Sequence, residues 1–264
     1  MSSMLTFFLR LKRSPLKFLT NTDFLSPNNH KKMVPKNIFI YWNQGESSAP
    51  DIVKLCIESW KINNPNWSLT VLDKDKANEE LSRKYLPKDI TEASYSDLLR
   101  LHLLEKYGGI WADATTLCFN PLDHWVHTLL LSSDVFLFTN PTADRTIASW
   151  FIASRKNSAG VRVWNKNAQK FWSKASSQPR EYFWLHYLFQ YLTLQSRGFR
   201  LSFKNMPRIS ASPHHSLCFF MRDPSTTDQT SILSMLEMTN IQKLSYKHGY
   251  DAKDIKTLLD CVKK

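Results

Sequence analysis

Cysteine is scarce in this 264-residue chain: Cys56, Cys118, Cys218 and Cys261 are widely scattered, with no CxxC pair. Such spacing argues against a zinc ribbon and a dithiol redox centre, and it fits a reducing compartment such as the cytoplasm. Cys56 sits on an apolar helical stripe and reads as a small core residue. No run of 18 apolar residues occurs, so no helical membrane span is expected. The apolar stretch Met4 to Leu9 is too short for the core of a secretory signal, and its charges follow it rather than precede it. No helix-turn-helix signature, zinc finger or RNP-like aromatic strand is found, so no nucleic-acid partner is expected. Internal repeats and low-complexity tracts are lacking too. Acidic residues are in deficit, 23 against 35 basic, for a formal net charge of +12. That excess favours a polyanionic partner: nucleic acid, an acidic membrane surface or a phosphorylated substrate.

Apolar residues make up 42% of the chain and aromatics 13%, enough for a full core at this length. The charge is unevenly placed. Residues 1–37 carry Arg10, Lys12, Arg13, Lys17, Lys31, Lys32 and Lys36 against the single acid Asp23, half of the total excess. A leader over 1–36, with Leu5, Phe7, Phe8, Leu9, Leu11, Leu16, Phe18 and Leu19 among those cations, suits a lipid headgroup layer; the other reading is a basic start without a role. Pro15 interrupts any single long helix there. The expected organisation is this leader followed by one domain over 37–264, peripheral on the inner face of the cytoplasmic membrane.

Residues 37–42 form a continuous apolar run of strand length. Pro50 opens a helix to about Ile62 with Ile52, Val53, Cys56, Ile57 and Trp60 on one stripe. Residues 67–72 alternate as a strand, 73–85 read as a polar helix, 93–107 as a helix stopped by Gly108-Gly109, and 110–112 as a strand. This order predicts an α/β fold with a mostly parallel central sheet flanked by helices. Further on, strands are expected at 134–139, 147–153 and 199–203, helices at 161–174, 180–196, 227–238 and 251–262, and a loop at 207–224. Ligands of such sheets bind beyond the carboxyl ends of the strands, where Trp42 and Asp113 both fall.

Asp97 and Arg100 share one face of a largely apolar helix. They form either a local ion pair, or a carboxylate for sugar hydroxyls beside a guanidinium that reaches a phosphate. Asp113 ends an apolar strand, and Thr115 places an oxygen on the same side if the strand continues. Together they read as a hard-cation site for Mg²⁺ or Mn²⁺, or Asp113 merely caps a loop. Trp42 is a core residue or a stacking platform for a nucleobase. The late cluster Lys243-Leu244-Ser245-Tyr246-Lys247 is a solvated basic loop or a flap over a diphosphate. His186, His214 and His215 read as structural or surface groups.

Taken jointly, residues 38–45, Ala49-Pro50, Ser59-Trp60 with Asn64-Pro65, and 96–115 resemble the bacterial capsular polysaccharide synthesis glycosyltransferases. These are relatives of the DxD sugar transferases that include yeast outer-chain mannosyltransferases and the large clostridial glucosylating toxins. Residues 150–153, 182–189 and 243–247 are similar to that family as well. The resemblance implies a GT-A fold, a nucleotide-sugar donor and a divalent cation. It implies that Trp42 stacks on the base, that Asp97 and Arg100 hold the donor sugar and its phosphate, and that Asp113 is the first acid of the DxD motif. Thr115 stands where many relatives carry the second acid. Lys243 and Lys247 would balance charge on the departing diphosphate. The expected activity is transfer of a sugar, with retention, to a growing surface polysaccharide or lipid-linked glycan of a capsule or lipopolysaccharide. The alternative is a catalytically weak sugar-nucleotide-binding module of the same fold. An acceptor pocket is expected from the second half, near Arg155 or His186.

Overall fold

The apolar run Asn37–Tyr41 forms strand β1, whose side chains are buried on both faces, as the centre of a sheet requires. The computed structural model describes residues 33–262; the basic leader lies outside the described residues up to residue 32. The other strands are β2 (Ser68–Leu72), β3 (Gly109–Ala112), β4 (Thr116–Cys118), β5 (Val135–Thr142), β6 (Arg145–Ser154) and β7 (Ile241–Lys243). The helices are α1 (Asp51–Asn63), α2 (Lys74–Glu80), α3 (Glu92–Lys106), α4 (Val126–Leu129), α5 (Ala159–Trp172), α6 (Trp184–Gln195), α7 (Arg197–Ser202), α8 (Ser216–Arg222), α9 (Gln229–Glu237) and α10 (Ala252–Val262).

The main sheet has the order β2-β1-β3-β6-β5. β1 runs parallel to both β2 and β3, while β6 is antiparallel to β3 and β5. Four of the five strands therefore point one way, with β6 reversed. This is the mostly parallel α/β architecture that the order of elements predicts. A second, two-stranded sheet joins β4 to β7 in antiparallel register, pairing Thr116 with Lys243. Neither of these short strands is expected from the sequence.

Two apolar clusters meet at α1. Val53, Ile57 and Trp60 enter the main core, whereas Ile52 and Cys56 pack with Leu217, Ile232, Leu244 and Ile255 of the C-terminal segment. The indole of Trp60 donates to the Thr116 carbonyl at 2.7 Å, tying α1 to the start of β4. Cys56, Cys118 and Cys218 are free and buried. Among the described residues, no helix is long and apolar enough to cross a membrane.

Three expectations need correction. Residues 199–203 are helical to Ser202 rather than extended: Ser196 Oγ caps the Phe199 amide, and Phe199 and Phe203 are buried while Leu201 between them faces out. Burial at a spacing of four, not two, selects the helix. The expected loop at 207–224 contains α8, which buries Leu217 and Cys218. The polar stretch 73–85 breaks after Glu80 into a separate helical turn at Arg83–Tyr85, where Asn78 Oδ1 accepts from the Arg83 amide.

Helix α3 begins at Thr91, whose hydroxyl accepts from the Ser94 amide, and ends at two glycines of positive φ, Gly108 at 67° and Gly109 at 107°. A β-carbon on Gly109 would lie 2.4 Å from the Asn37 carbonyl oxygen, so its absence is what lets β3 enter the sheet beside β1. Gly109→Ala combines that clash with a disfavoured backbone and should lower stability by about 1–3 kcal/mol. A lower urea midpoint with an unchanged m-value checks this.

Candidate functional site

Arg100 is 4% exposed, so its charge must be met inside the protein. Its Nη1 pairs with Asp97 Oδ1 at 2.8 Å and donates to the Ser149 carbonyl at 3.0 Å. Its Nη2 donates to Ser96 Oγ and to Asp113 Oδ1, both at 3.2 Å. The Trp111 ring lies 5.2 Å from the guanidinium. One helical residue thereby joins α3, β6 and the turn after β3. Burial pushes the Asp97 carboxyl up to about 7 against the pull of Arg100, and the nearby Asp113 adds to the rise. At 2.8 Å, Asp97 and Arg100 form a local ion pair whenever Asp97 is ionised, and Arg100 also holds Asp113 in place.

Asp113 is not followed by more strand. Its carbonyl accepts from the Thr116 amide at 2.8 Å, so 113–116 is a turn that exposes about a third of the carboxylate. Oδ1 takes hydrogen bonds from Arg100 and from the Trp111 indole, leaving Oδ2 for another partner. The β4–β7 pairing places the late basic segment against this turn. Leu244 N donates to the Thr115 carbonyl at 2.8 Å, and the Lys243 ammonium donates to Thr115 Oγ1.

These residues line a cleft of about 740 Å³ at the carboxyl ends of β1 and β3, with Trp42, Asp113, Thr115, Lys243, Tyr246 and Lys247 in its wall. Trp42 is half-buried and meets Tyr246 edge-on, with ring centroids 5.1 Å apart. Lys247 is exposed, its ammonium 5.8 Å from the Tyr246 ring. An adjoining cavity of about 400 Å³ shares Ser96, Asp113, Tyr182 and Lys243, and adds Asp97, Arg100, Arg145, Phe183, His186 and His215. Trp42, Asp97, Arg100, Asp113, Thr115, Lys243 and Lys247 all lie in one or both cavities, as does His186. Arg155 does not: it is buried, pairs with Asp134 at 3.2 Å and donates to the Leu130 carbonyl, so it braces β5 and β6 instead.

Several wall residues escape the sequence reading. Tyr41 Oη, at the rear of the cleft, donates to Glu92 at 2.5 Å and accepts from Arg83. Tyr182 is 68% exposed and borders both cavities. The Arg145 guanidinium lies 3.8 Å from the Phe183 ring centre. The apolar run around Tyr182 and Phe183 suggests core and hides their placement at the cavity.

As placed, Asp113 and Thr115 do not fit a divalent cation held by the protein. Thr115 Oγ1 is occupied by an ammonium, and Asp113 offers one uncommitted oxygen. Among the described residues, no group of three or more His, Cys, Asp or Glu side chains is arranged to hold a metal.

The sequence model of the family described as "Capsular polysaccharide synthesis protein" matches residues 7–262. The chain belongs to this family. Two curated relatives are similar over part of it: "Glycosyltransferase afumC" of Aspergillus fumigatus, 26% identical over 60% of this chain and 47% of the relative, and "Probable glycosyltransferase FCK3" of Fusarium pseudograminearum, 27% identical over 54% and 41%. This member of the capsular polysaccharide synthesis family therefore spans less than half the length of the curated relatives it matches. Among solved structures it is similar to the PaToxG glycosyltransferase (16% identity, TM-score 0.40, covering 74% of this chain and 78% of that one). It is also similar to galactosyltransferase LgtC with donor and acceptor sugar analogs (12%, 0.39, 86% and 96%).

Burial lowers four imidazoles of this family member: His102, His186 to about 3, and His214 and His215 to about 4. Arg100 and Arg145 push His186 down further. As pH falls from about 6.5 to 4, the unfolded chain takes up these protons and the folded protein refuses them, so stability falls. Asp97 acts in the opposite sense, because the folded state holds its proton below about 7. Four lowered groups against one raised group leave a net loss of stability on acidification. The melting temperature should drop from pH 7 to pH 5, and His214→Gln should reduce the drop.

Proposed function

We propose that this chain is a glycosyltransferase that takes a sugar from a nucleotide-sugar donor. One observation carries the reading: a single cleft beyond the parallel strands gathers a half-exposed indole, a carboxylate with an uncommitted oxygen and two lysines. Among the described residues neither Lys243 nor Lys247 pairs with a carboxylate. A nucleoside diphosphate presents the complementary groups, namely a flat base, hydroxyls and a pair of anionic phosphates. Family membership and the names of the fungal relatives support the same class of reaction.

In this reading the base rests on Trp42, Asp113 accepts from donor hydroxyls, and the lysines face the diphosphate. Arg100 acts through Asp97 and Asp113, since protein groups already occupy both of its terminal nitrogens. The bond between the anomeric carbon and the diphosphate oxygen breaks, its electron pair staying with the diphosphate. An acceptor hydroxyl forms the new bond, and its proton leaves to the departing phosphate or to water. Charge stabilisation on the leaving group is then the main catalytic contribution of the protein. The acceptor is a surface polysaccharide or lipid-linked glycan of a capsule or lipopolysaccharide, the product retains the donor's configuration, and the basic leader holds the enzyme at an anionic membrane surface.

Asp113→Asn keeps an acceptor for Arg100 but removes the charge. It should lower sugar transfer at least about 100-fold in a protein that still unfolds cooperatively on heating, at a somewhat lower temperature. Trp42→Ala should weaken nucleotide binding about tenfold or more, since stacking contributes about 1–3 kcal/mol per base. Transfer from labelled sugar nucleotides and calorimetry measure the two effects. Undiminished transfer by Asp113→Asn would refute the assignment, and donor binding without turnover in the wild type would favour a binding module.

A further inference from the structure

We propose that Lys243 supplies the positive charge that a divalent cation would bring to the diphosphate, so that nucleoside-diphosphate binding needs no metal. This rests on the reading of the cleft as a sugar-nucleotide site and names the group that recognises the diphosphate.

The position of the ammonium is set by the fold. Lys243 is the last residue of β7 and is in register with Thr116, and the next residue donates its amide to the Thr115 carbonyl. The side chain thus comes from a paired strand and lies half-buried, unlike a free surface lysine. Its Nζ donates to two neutral oxygens, Thr115 Oγ1 and the Leu244 carbonyl. An ammonium has three donors, so one is left over. Among the described residues no carboxylate lies within ion-pair distance of it, and Lys243 borders both cavities. A charge drawn partly out of water without a counter-ion is costly, and an anionic ligand removes that cost.

The same geometry disfavours a cation. Asp97 and Asp113 carry at most two negative charges against the two positive ones of Arg100 and Lys243, so the turn offers no net negative charge to a metal ion. A metal ligated by Thr115 Oγ1 would have to displace the ammonium that now occupies that oxygen. The lysine and a cation compete for one place, and only the lysine belongs to the chain.

The test is a calorimetric titration of the full chain with UDP and with GDP, each in EDTA and in Mn²⁺. The nucleotide that binds should do so with a Kd that differs less than about threefold between the two media. Lys243→Gln, which retains a donor for Thr115 but no charge, should weaken binding in EDTA about tenfold or more, as expected for a charge-assisted hydrogen bond. Lys243→Arg should keep most of the affinity, and thermal unfolding shows whether each variant is folded. Wild-type binding in Mn²⁺ but not in EDTA would overturn this inference and leave the sugar-nucleotide reading standing. Unchanged affinity in Lys243→Gln would also overturn it. Absence of binding in both media would overturn both readings.

Discussion

A guanidinium almost wholly drawn out of water organises this site. Arg100 is barely solvated, so carboxylates and hydroxyls converge on it, and they come from α3, β6 and the turn after β3. Desolvation makes such an ion cluster a poor source of net stability. Its consequence is specificity of placement. The Asp113 carboxylate cannot swing freely, because Arg100 and the Trp111 indole both bind one of its oxygens. A carboxylate fixed in this way meets a ligand without first losing side-chain freedom.

The second constraint is a clasp. Three-residue strands β4 and β7 contribute little backbone pairing, yet they bring together parts of the chain 128 residues apart at Thr115 and Lys243. The clasp is backed by the smaller apolar cluster, in which Ile52 and Cys56 of α1 pack against Leu244 and the C-terminal helices. Helix α1 is therefore shared: one stripe supports the main sheet and the other supports the segment that carries the lysines. A defect in the C-terminal helices would reach the cleft through this packing without touching any residue in its wall.

The central layers were legible because short-range signals agree. The apolar run at 37–42, the stripe of α1 and the glycine stop at 108–109 place β1, α1, α3 and β3, and with them Trp42, Asp97, Arg100 and Asp113 at one end of the sheet. What was not legible depended on distance along the chain. Nothing local marks 116–118 and 241–243 as strands, since each is defined by the other. Arg155 resembled a site cation, but Asp134 and a carbonyl bury it elsewhere. Phe199 to Phe203 mimicked alternation because a buried pair four apart flanks an exposed leucine. The polar span 73–85 hid its break, since Asn78 and Ser82 cap a turn as readily as they continue a helix.

The two adjoining cavities share Asp113 and Lys243 but differ in what else lines them. The larger one is lined by Lys243 and Lys247, which among the described residues pair with no carboxylate, as suits a diphosphate; the smaller one has Lys243 alone of the two. The smaller one holds imidazoles that stay neutral across the physiological range, alongside the tyrosine at 182 and the ring of Phe183. His186 lies 3.4 Å from the Ser149 hydroxyl, itself bound to Arg100, so a hydrogen-bonded chain runs from the buried ion cluster into this cavity. These rings and hydroxyls offer a sugar stacking and hydrogen-bonding partners, while Arg100 and Arg145 in the same wall are each paired with a carboxylate. On the proposed reading, the diphosphate is drawn to the lysines of the larger cleft, and the reacting carbon lies at the shared border where Asp113, Tyr182 and Lys243 face both sides.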